Sequence, residues 1–472
     1  MSSTYYESME KSFPSKTRIR KEQKKLEDAG VKYILSCWID MLGVPKTKPV
    51  PICDFEPLCL GKGPQFAVHS VSFVPELGPA DSDQIPVPDL DSLVICPWDP
   101  TCAWVFADLW WEDKPYNLCP RQALKRIIRD AADQGYAMMA GIEPEFITMQ
   151  WDENGKPVKA FDDDPAEGEG IRPRRQAFGY DVEYSIDAMG FLGNLIDILN
   201  DLGWQLHDVV AEGAYSQFEL DFHYTNVLEM ADRMVFLRVL LKEIAKKHGM
   251  FVTFMPKPTT GDWRSGAHMN TSLVRVGKPD NNLYADSKGG WSQTAYHAIG
   301  GILKHGAAIT AVACSTVNSY NGLVPKVGGF EGGVYTWAPT HITYGSNNRS
   351  AMLRMPQSRF ALENRAADMC MNPYLGLGMM LGATIDGVVN KIDPGKSVDE
   401  DLYVMDDKKQ QKLTALPRNL LEATEQLGKS KLAKEVLGEQ MLSSFLAYKV
   451  DEWERYHQVT TDWEVQEYLR LF

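Results

Sequence analysis

Between Met138 and Ile147 the chain is apolar apart from two acids, Glu143 and Glu145, in the segment Gly141-Ile142-Glu143-Pro144-Glu145-Phe146. This stretch constrains the fold and the chemistry more than any other. On an extended strand, residues i and i+2 point to one face, so both carboxylates share a side. Two like charges that close repel, and each has its pKa raised unless a cation sits between them. A pair of solvated acids on a half-exposed strand satisfies the spacing, but metal ions satisfy it more economically.

Three further segments repeat the pattern. In Ala211-Glu212-Gly213-Ala214-Tyr215-Ser216-Gln217-Phe218-Glu219-Leu220, Gln217 and Glu219 share a strand face, and Glu212 lies across a Gly-Ala-Tyr-Ser turn. In Ser265-Gly266-Ala267-His268-Met269-Asn270-Thr271-Ser272-Leu273, the polar set His268, Asn270 and Ser272 shares one face. In Leu362-Glu363-Asn364-Arg365, Glu363 and Arg365 pair at i, i+2. A lone strand histidine is often a hydrogen-bonded core residue, and a Glu–Arg pair is usually a salt bridge. Four such strands together demand more. Oxygen donors with one imidazole suit Mg²⁺ or Mn²⁺ better than Zn²⁺. Five glutamates carry more charge than one divalent ion balances, so two or more ions are expected.

Cations accompany the acids. Arg349 and Arg354 lie five residues apart in Asn347-Asn348-Arg349-Ser350 and Leu353-Arg354-Met355-Pro356, and Lys257 stands between two prolines. Alone they read as surface charges. Beside a metal cluster, arginines suit a transferring phosphoryl group. No Walker A loop and no GxGxxG opens a helix, so a nucleotide is not expected in a P-loop or Rossmann site.

The 472 residues exceed one simple core, and the 44% hydrophobic and 24% charged fractions are those of a globular protein. The net charge of −14 argues against a nucleic-acid or anionic-membrane binder. No apolar run reaches a membrane span, and the polar start is no signal peptide. Eight cysteines without a CxxC pair read as reduced residues in a cytoplasmic enzyme.

Along the chain, a polar tail and helix over 1–26 precede a small β-rich unit over 27–115. In that unit Val31–Ile39, Ser92–Cys96 and Ala103–Leu109 read as strands, around a Pro-rich stretch from Val50 to Pro100. Pro120 opens a helix that Gly135 closes, with Leu124, Ile127, Ile128 and Ala131 as its apolar stripe. Helices are expected at Asp187–Leu202, Leu228–Lys247 and Gly290–Ala313, a surface loop at Asp152–Arg175, and helices again from Pro417 to Phe472. Strands alternating with helices point to a large α+β or α/β catalytic unit over 116–472.

These motifs resemble the glutamine synthetase superfamily over nearly the whole chain. The matching segments are GIEPEF, Glu212 to Glu219, FMPKP at 254–258, SGAHMNTSL, NSY at 318–320, NNRSAMLRMP, LENR and NPYLGLG. The pattern is most similar to the γ-glutamylmethylamide synthetase or γ-glutamylamide ligase branch. The resemblance implies an α+β fold: an N-terminal β-grasp domain and a catalytic domain with a metal-lined sheet funnel. It also implies a homo-oligomer, commonly a dodecamer, with active sites between subunits. By the same resemblance, Glu145, Glu212 and Glu219 match ligands of one metal, and Glu143, His268 and Glu363 those of a second beside ATP. Arg349 and Arg354 match phosphate-binding arginines. Ser272, Asn270 and Arg354 fall on the nucleotide side, and Arg264, Gly266 and Arg365 on the substrate side. Glu331 matches the acid of a flap that closes over the site and accepts the amine's proton. Tyr403 falls where some members are adenylylated, although an ordinary tyrosine fits equally. The implied reaction joins glutamate to an amine through γ-glutamyl phosphate, using ATP and Mg²⁺ or Mn²⁺.

Three departures bear on substrate. The family's NSYKR, whose arginine holds the α-carboxylate of glutamate, is Asn318-Ser319-Tyr320-Asn321-Gly322 here. The usual Asn-Gly is Trp263-Arg264, and Arg264 is a candidate for the lost charge. The DGSS-like segment whose acid serves the ammonium site is missing; Phe66-Ala67-Val68-His69-Ser70 stands near it, with Asp40 a weak substitute. Together with the aromatics Phe330, Tyr335 and Trp337, these favour an amine larger than ammonia: an alkylamine, or an aromatic amine such as aniline. A glutamine synthetase using ammonia, a catalytically silent family member and an acid other than glutamate remain alternatives.

Overall fold

The computed structural model describes residues 7–67, 78–161, 179–260, 262–324, 326–327, 334–335 and 337–472. Two sheets organise them. The first comprises seven strands among the described residues and is led by β1 (Tyr33–Ile39), β2 (Pro45–Pro51), β3 (Asp83–Pro88) and β4 (Cys102–Trp111). β1 pairs antiparallel with β2 and parallel with β4, and β3 closes on the other side of β4. The helix Lys16–Asp28 lays Ile19 and Leu26 on this sheet against Ile34, Val50 and Val105.

β2 and β3 occupy the stretch read as Pro-rich and irregular. Their prolines are tolerated because the N–H they lack is not needed. β2 lies at the sheet's edge. The neighbour of β3, Phe66–Ala67, reaches only Asp83 and Gln84, so that among the described residues no strand pairs with the outer edge at Pro86 and Pro88. The strand expected at Ser92–Cys96 shrinks to Val94–Ile95, since Leu90–Ser92 forms a 3₁₀ turn.

The second sheet has eleven strands among the described residues. Its spine is β5 (Tyr136–Trp151), the strand of Glu143 and Glu145. On one edge of β5 lie β6 (Leu206–Ala211) and β7 (Gln217–Phe222), and on the other β8 (Ala267–Arg275). Beyond β8 the order runs outward through β11 (Leu362–Asn364), β10 (Leu353–Met355) and β9 (Tyr344–Ser346). Along β5, Met138, Ala140, Ile142 and Pro144 are buried while Met139, Gly141 and Glu143 alternate towards a partly open face.

Helices cover the apolar side. They are α1 (Pro120–Asp133), α2 (Val182–Asp201), α3 (Val227–Lys247), α4 (Gln293–Lys304), α5 (Gly306–Ala313) and α6 (Pro373–Val389). The stripe expected of α1 is buried at Leu124, Ile127 and Ala131, and Gly135 ends the turn at φ 84°. The expected helix at 290–313 is two, because His305 leaves the helical region at φ −101°, ψ 8°. α2 begins at Val182, earlier than Asp187.

One core runs through both units: Trp104 and Phe106 of β4 and Phe236 of α3 pack edge to face. A buried charge network crosses the same seam. Arg121 of α1, 2% exposed, pairs with Asp89 at 2.9 Å, Asp108 at 2.8 Å and Asp232 at 2.9 Å. No helix among the described residues is long and apolar enough to cross a membrane.

Candidate active site

Strand register gathers the acids. Glu145 lies directly opposite Glu219 across β5 and β7, and Glu143 opposite His268 across β5 and β8. Asn270 on β8 faces Glu363 on β11, which faces Arg354 on β10. Like charges directly opposite destabilise a sheet, so the Glu145–Glu219 pair needs a reason. Glu212 follows β6 into the turn that leads to β7, where its backbone N–H donates to the Gln217 carbonyl at 2.9 Å.

All six expected metal-ligand residues line one cavity of about 350 Å³, together with Arg264, Gly266, Arg349, Arg354 and Arg365. A second cavity of about 600 Å³ shares Glu143, Asp221 and Arg359 with the first and is lined also by Asn270, Ser272, Tyr224 and Phe360. The two adjoin at these shared residues, with Glu143 and Asp221 between them.

The acids divide into two kinds. Glu363 is paired with cations: Arg365 Nη1 donates at 2.6 Å and Arg354 Nη1 at 2.7 Å. Burial opposes its ionisation, but Arg365 and Arg354 outweigh it and hold the carboxyl at about 2. Glu143 accepts from Asn270 at 2.9 Å and from Arg359 at 3.0 Å, with His268 Nδ1 at 3.1 Å.

The others lack cations. No ion pair reaches Glu145, Glu212, Glu219 or Asp221 among the described residues. Burial, then the neighbouring Glu212, pushes Glu145 up to about 8. Burial raises Glu212 as well, and burial with Glu145, Glu143 and Glu212 carries Glu219 well above the carboxylate range. Burial, then Glu143 and Asp208, pushes Asp221 up to about 8. His268 is lowered by burial and by Arg365, so its ring is neutral and able to ligate.

Ligand atoms of Glu143, Glu219 and His268 lie within 4.8 Å of one another. Unpaired buried carboxylates, a neutral imidazole and converging oxygens fit hard divalent cations. The trio draws from both ligand sets implied by the resemblance, so the structure joins them into one cluster. Gly266 is part of that geometry: a Cβ there would stand 2.8 Å from Glu145 Oε1 and 3.1 Å from His268 Nε2. Gln217 Nε2 fixes Glu145, donating to its Oε2 at 2.7 Å.

Other expectations land differently. Arg349 stacks over Trp337 with its guanidinium carbon 5.7 Å from the ring centre. Arg264 turns one arm away, to Asp368 at 3.1 Å. Lys257 is outside the cleft, its backbone N–H bonded to Asn318 Oδ1 at 2.8 Å. Asp40 is used by its own turn: it accepts from Leu42 N at 3.0 Å and Val44 N at 2.8 Å. The Tyr403 hydroxyl donates to the Ala338 carbonyl at 2.8 Å, and burial pushes its pKa up, which suits the ordinary reading of this tyrosine. Glu331, Phe330, and Val68, His69 and Ser70 lie outside the described residues. Most of Asp152–Arg175 does too, but Pro157–Lys159 is a short strand on β5.

Asp221, Asp208 and Arg359 escaped the motif reading. Asp221 extends the i, i+2 series of Gln217 and Glu219, so strand parity could have found it. Asp208 sits opposite Asp221 across the hairpin, and Arg359 arrives from a loop of no regular period.

A family model described as glutamine synthetase, catalytic domain, matches residues 117–468. A glutamine synthetase of Rhizobium meliloti (strain 1021) is 34% identical over 445 residues, 93% of this chain and 97% of its own length. A glutamate–methylamine ligase of Methyloversatilis universalis is 35% identical over 461 residues, covering 95% and 99%. A solved structure titled a GmaS/ADP complex superposes with a TM-score of 0.85 at 33% identity, covering 95% of this chain and 99% of that one.

Proposed function

The chain belongs to the glutamine synthetase family of ligases, and on that premise we propose that it joins glutamate to an amine other than ammonia. The acid is activated by ATP. The observation that carries the choice of amine is the wall beside Glu212. Trp263 lies on Gly213, so close that a Cβ there would stand 2.5 Å from its ring, and it meets Trp337 edge to face at 6.3 Å. Two indoles lining a cleft this acidic offer an apolar, π-rich surface to the substituent of an alkyl or aryl amine. A relative named for each activity stands at similar identity, so the wall, rather than overall likeness, supports the choice.

In this reading Glu143, Glu145, Glu212, Glu219, His268 and Glu363 hold two or more Mg²⁺ or Mn²⁺ ions. When bound, these ions neutralise the charge of the transferring phosphate. The nucleotide occupies the wider cavity by Ser272 and Asn270. Arg349 and Arg354 face the γ-phosphate, with Arg354 set by Glu363 and by Asn347 Oδ1, to which its Nη2 donates at 2.7 Å. The γ-carboxylate oxygen of glutamate attacks the γ-phosphorus, and ADP leaves. The amine nitrogen then attacks the γ-carbonyl carbon, phosphate leaves, and a carboxylate takes the surplus proton. Glu331 is assigned that role, and Arg264, Gly266 and Arg365 hold the acid. A two-unit division at 115/116 and a homo-oligomer with shared sites, commonly a dodecamer, belong to the same proposal.

The test is phosphate release from ATP with glutamate and Mg²⁺ or Mn²⁺, against ammonia, methylamine, isopropylamine and aniline. A substituted amine should give the highest kcat/KM. Fastest release with ammonia would make the chain a glutamine synthetase, and none with any amine would make it a silent member.

A further inference from the structure

Another cavity, of about 730 Å³, shares no lining residue with the cleft. It opens where α1 meets two C-terminal helices, α7 (Lys431–Leu437) and α8 (Glu439–His457). Its wall includes Arg126, Glu435, Glu439, Gln440, Ser443 and Ser444. Gly438 ends α7 and starts α8 at φ 81°, and with no side chain it offers α8 no cap. The first N–H groups of a helix have no partner within it. Among the described residues those of Glu439, Gln440 and Met441 find none elsewhere, and the first bond into the helix runs from Leu442 N to the Gly438 carbonyl at 3.0 Å. A 19-residue helix therefore turns its positive end to the cavity.

Arg126 of α1 stands at the same corner: a Cβ on Gly438 would lie 3.8 Å from its Nη2. Nη2 donates to the Val436 carbonyl at 2.8 Å and to the Glu435 carbonyl at 3.4 Å, so the end of α7 fixes the guanidinium. No carboxylate is in ion-pair contact with it among the described residues, and neither Nε nor Nη1 is bonded or sealed from solvent. Burial of this uncompensated cation lowers its pKa, with Asp130 opposing in part.

Ser444 is the independent sign of a ligand. It is 7% exposed, and a hydroxyl so buried normally has a partner. Its Oγ makes no hydrogen bond among the described residues, not even to the carbonyl one turn back, as Thr310 and Thr424 do in their helices. The atom is not sealed; it faces the cavity one turn on from Gln440. Two acids share the wall. Glu439 is drawn off to Lys434 at 2.9 Å, and Glu435 is exposed, where solvent screens it.

We propose that this corner binds the phosphate group of a small metabolite, free or as a monoester. Three backbone N–H groups, the open arm of Arg126 and the Ser444 hydroxyl supply more donors than a carboxylate can use, and they suit the terminal oxygens of phosphate. The cavity is wider than the ion and has room for the alcohol of a monoester. The site lies apart from the ligase chemistry and does not rest on it.

Cleft arginines attract phosphate too, so the first test locates the ion. In crystals of the full chain soaked in tungstate, anomalous scattering should place an ion at the N-terminus of α8, within hydrogen-bond reach of Arg126 and Ser444. Calorimetric titration with inorganic phosphate should show a class of sites with Kd of about 1 mM or below. Acetate should bind it at least about tenfold more weakly. Arg126→Gln should weaken that class about 10- to 100-fold, and Ser444→Ala about 3- to 10-fold. Ser443→Glu, at an exposed position that leaves the packing alone, should weaken it by repulsion, and Glu435→Gln should strengthen it. Glycerol 3-phosphate binding more tightly than phosphate marks a monoester site, and the reverse order a site for the free ion. An empty corner, acetate equal to phosphate, or variants that all titrate like the wild type overturn the proposal. An ion in the crystals with unaltered titrations is an adventitious ion only, and overturns it as well.

Discussion

Glu145→Gln in the metal-free protein offers a quantitative check on the acid cluster. The carboxyl of Glu145 titrates near 8 in the fold, against an ordinary value of 4.5. Between those values the folded chain holds a proton that the unfolded chain has released. Stability therefore falls as pH rises, with a slope of 2.303RT per unit. From 4.5 to pH 7 the loss is about 3 kcal/mol for this one group. Removing the charge should return it, since the introduced amide oxygen still accepts from Gln217 Nε2. With chelator present, the variant should be more stable than wild type by about 3 kcal/mol at pH 7 and by less than about 1 kcal/mol at pH 5. Mn²⁺ should reverse the order: wild type gains stability with metal concentration, and the variant gains less. Thermal melts across pH 5 to 8, with chelator and with Mn²⁺, read all of this. A variant no more stable than wild type at pH 7 without metal would mean that Glu145 carries no such burden, as would a gain that does not change with pH.

Gly266→Ala places a methyl 2.8 Å from Glu145 Oε1; Mn²⁺ affinity should fall about 10- to 100-fold, as when ligand orientation is lost, with the melting profile of the chelated protein little changed. Trp263→Ala removes half of the indole wall, so the ratio of kcat/KM for aniline to that for ammonia should fall about tenfold; an unchanged ratio would clear Trp263 of any part in amine choice. Arg121→Met leaves Asp89, Asp108 and Asp232 without their shared partner and should cost about 3 to 5 kcal/mol in urea denaturation. Arg121 and Lys125 outweigh burial and hold Asp89 well below the carboxylate range. Its contribution is present above about pH 4 and is lost as pH falls towards its folded value. Asp89→Asn should flatten that acid-side loss.

Much of the cleft is legible in strand parity. Glu143 with Glu145, and His268 with Asn270, can be read because a period of two fixes which side chains share a face. What parity cannot supply is the partner across the ladder. That Glu145 meets Glu219, and Glu363 meets Arg354, depends on register between strands far apart in the chain. The motif resemblance covered part of that gap, and Arg359, on a loop, had no period to betray it. In the fold, the two proline-bearing strands were hidden because proline reads as a breaker unless the open edge beside it is known. The break at His305 was hidden because the run from Gly290 to Ala313 contains no proline and stays apolar. The turn of Arg264 towards Asp368 was illegible as well, since the two meet only in three dimensions.

The proposed role of the cleft is to deliver activated glutamate to a substituted amine. The most direct test is a competition: ATP, glutamate, Mg²⁺ or Mn²⁺, and equal concentrations of ammonia, methylamine, isopropylamine and aniline, with the products identified by mass. A substituted γ-glutamylamide should be the main product, formed together with ADP and phosphate. Glutamine as the main product would make the chain a glutamine synthetase instead.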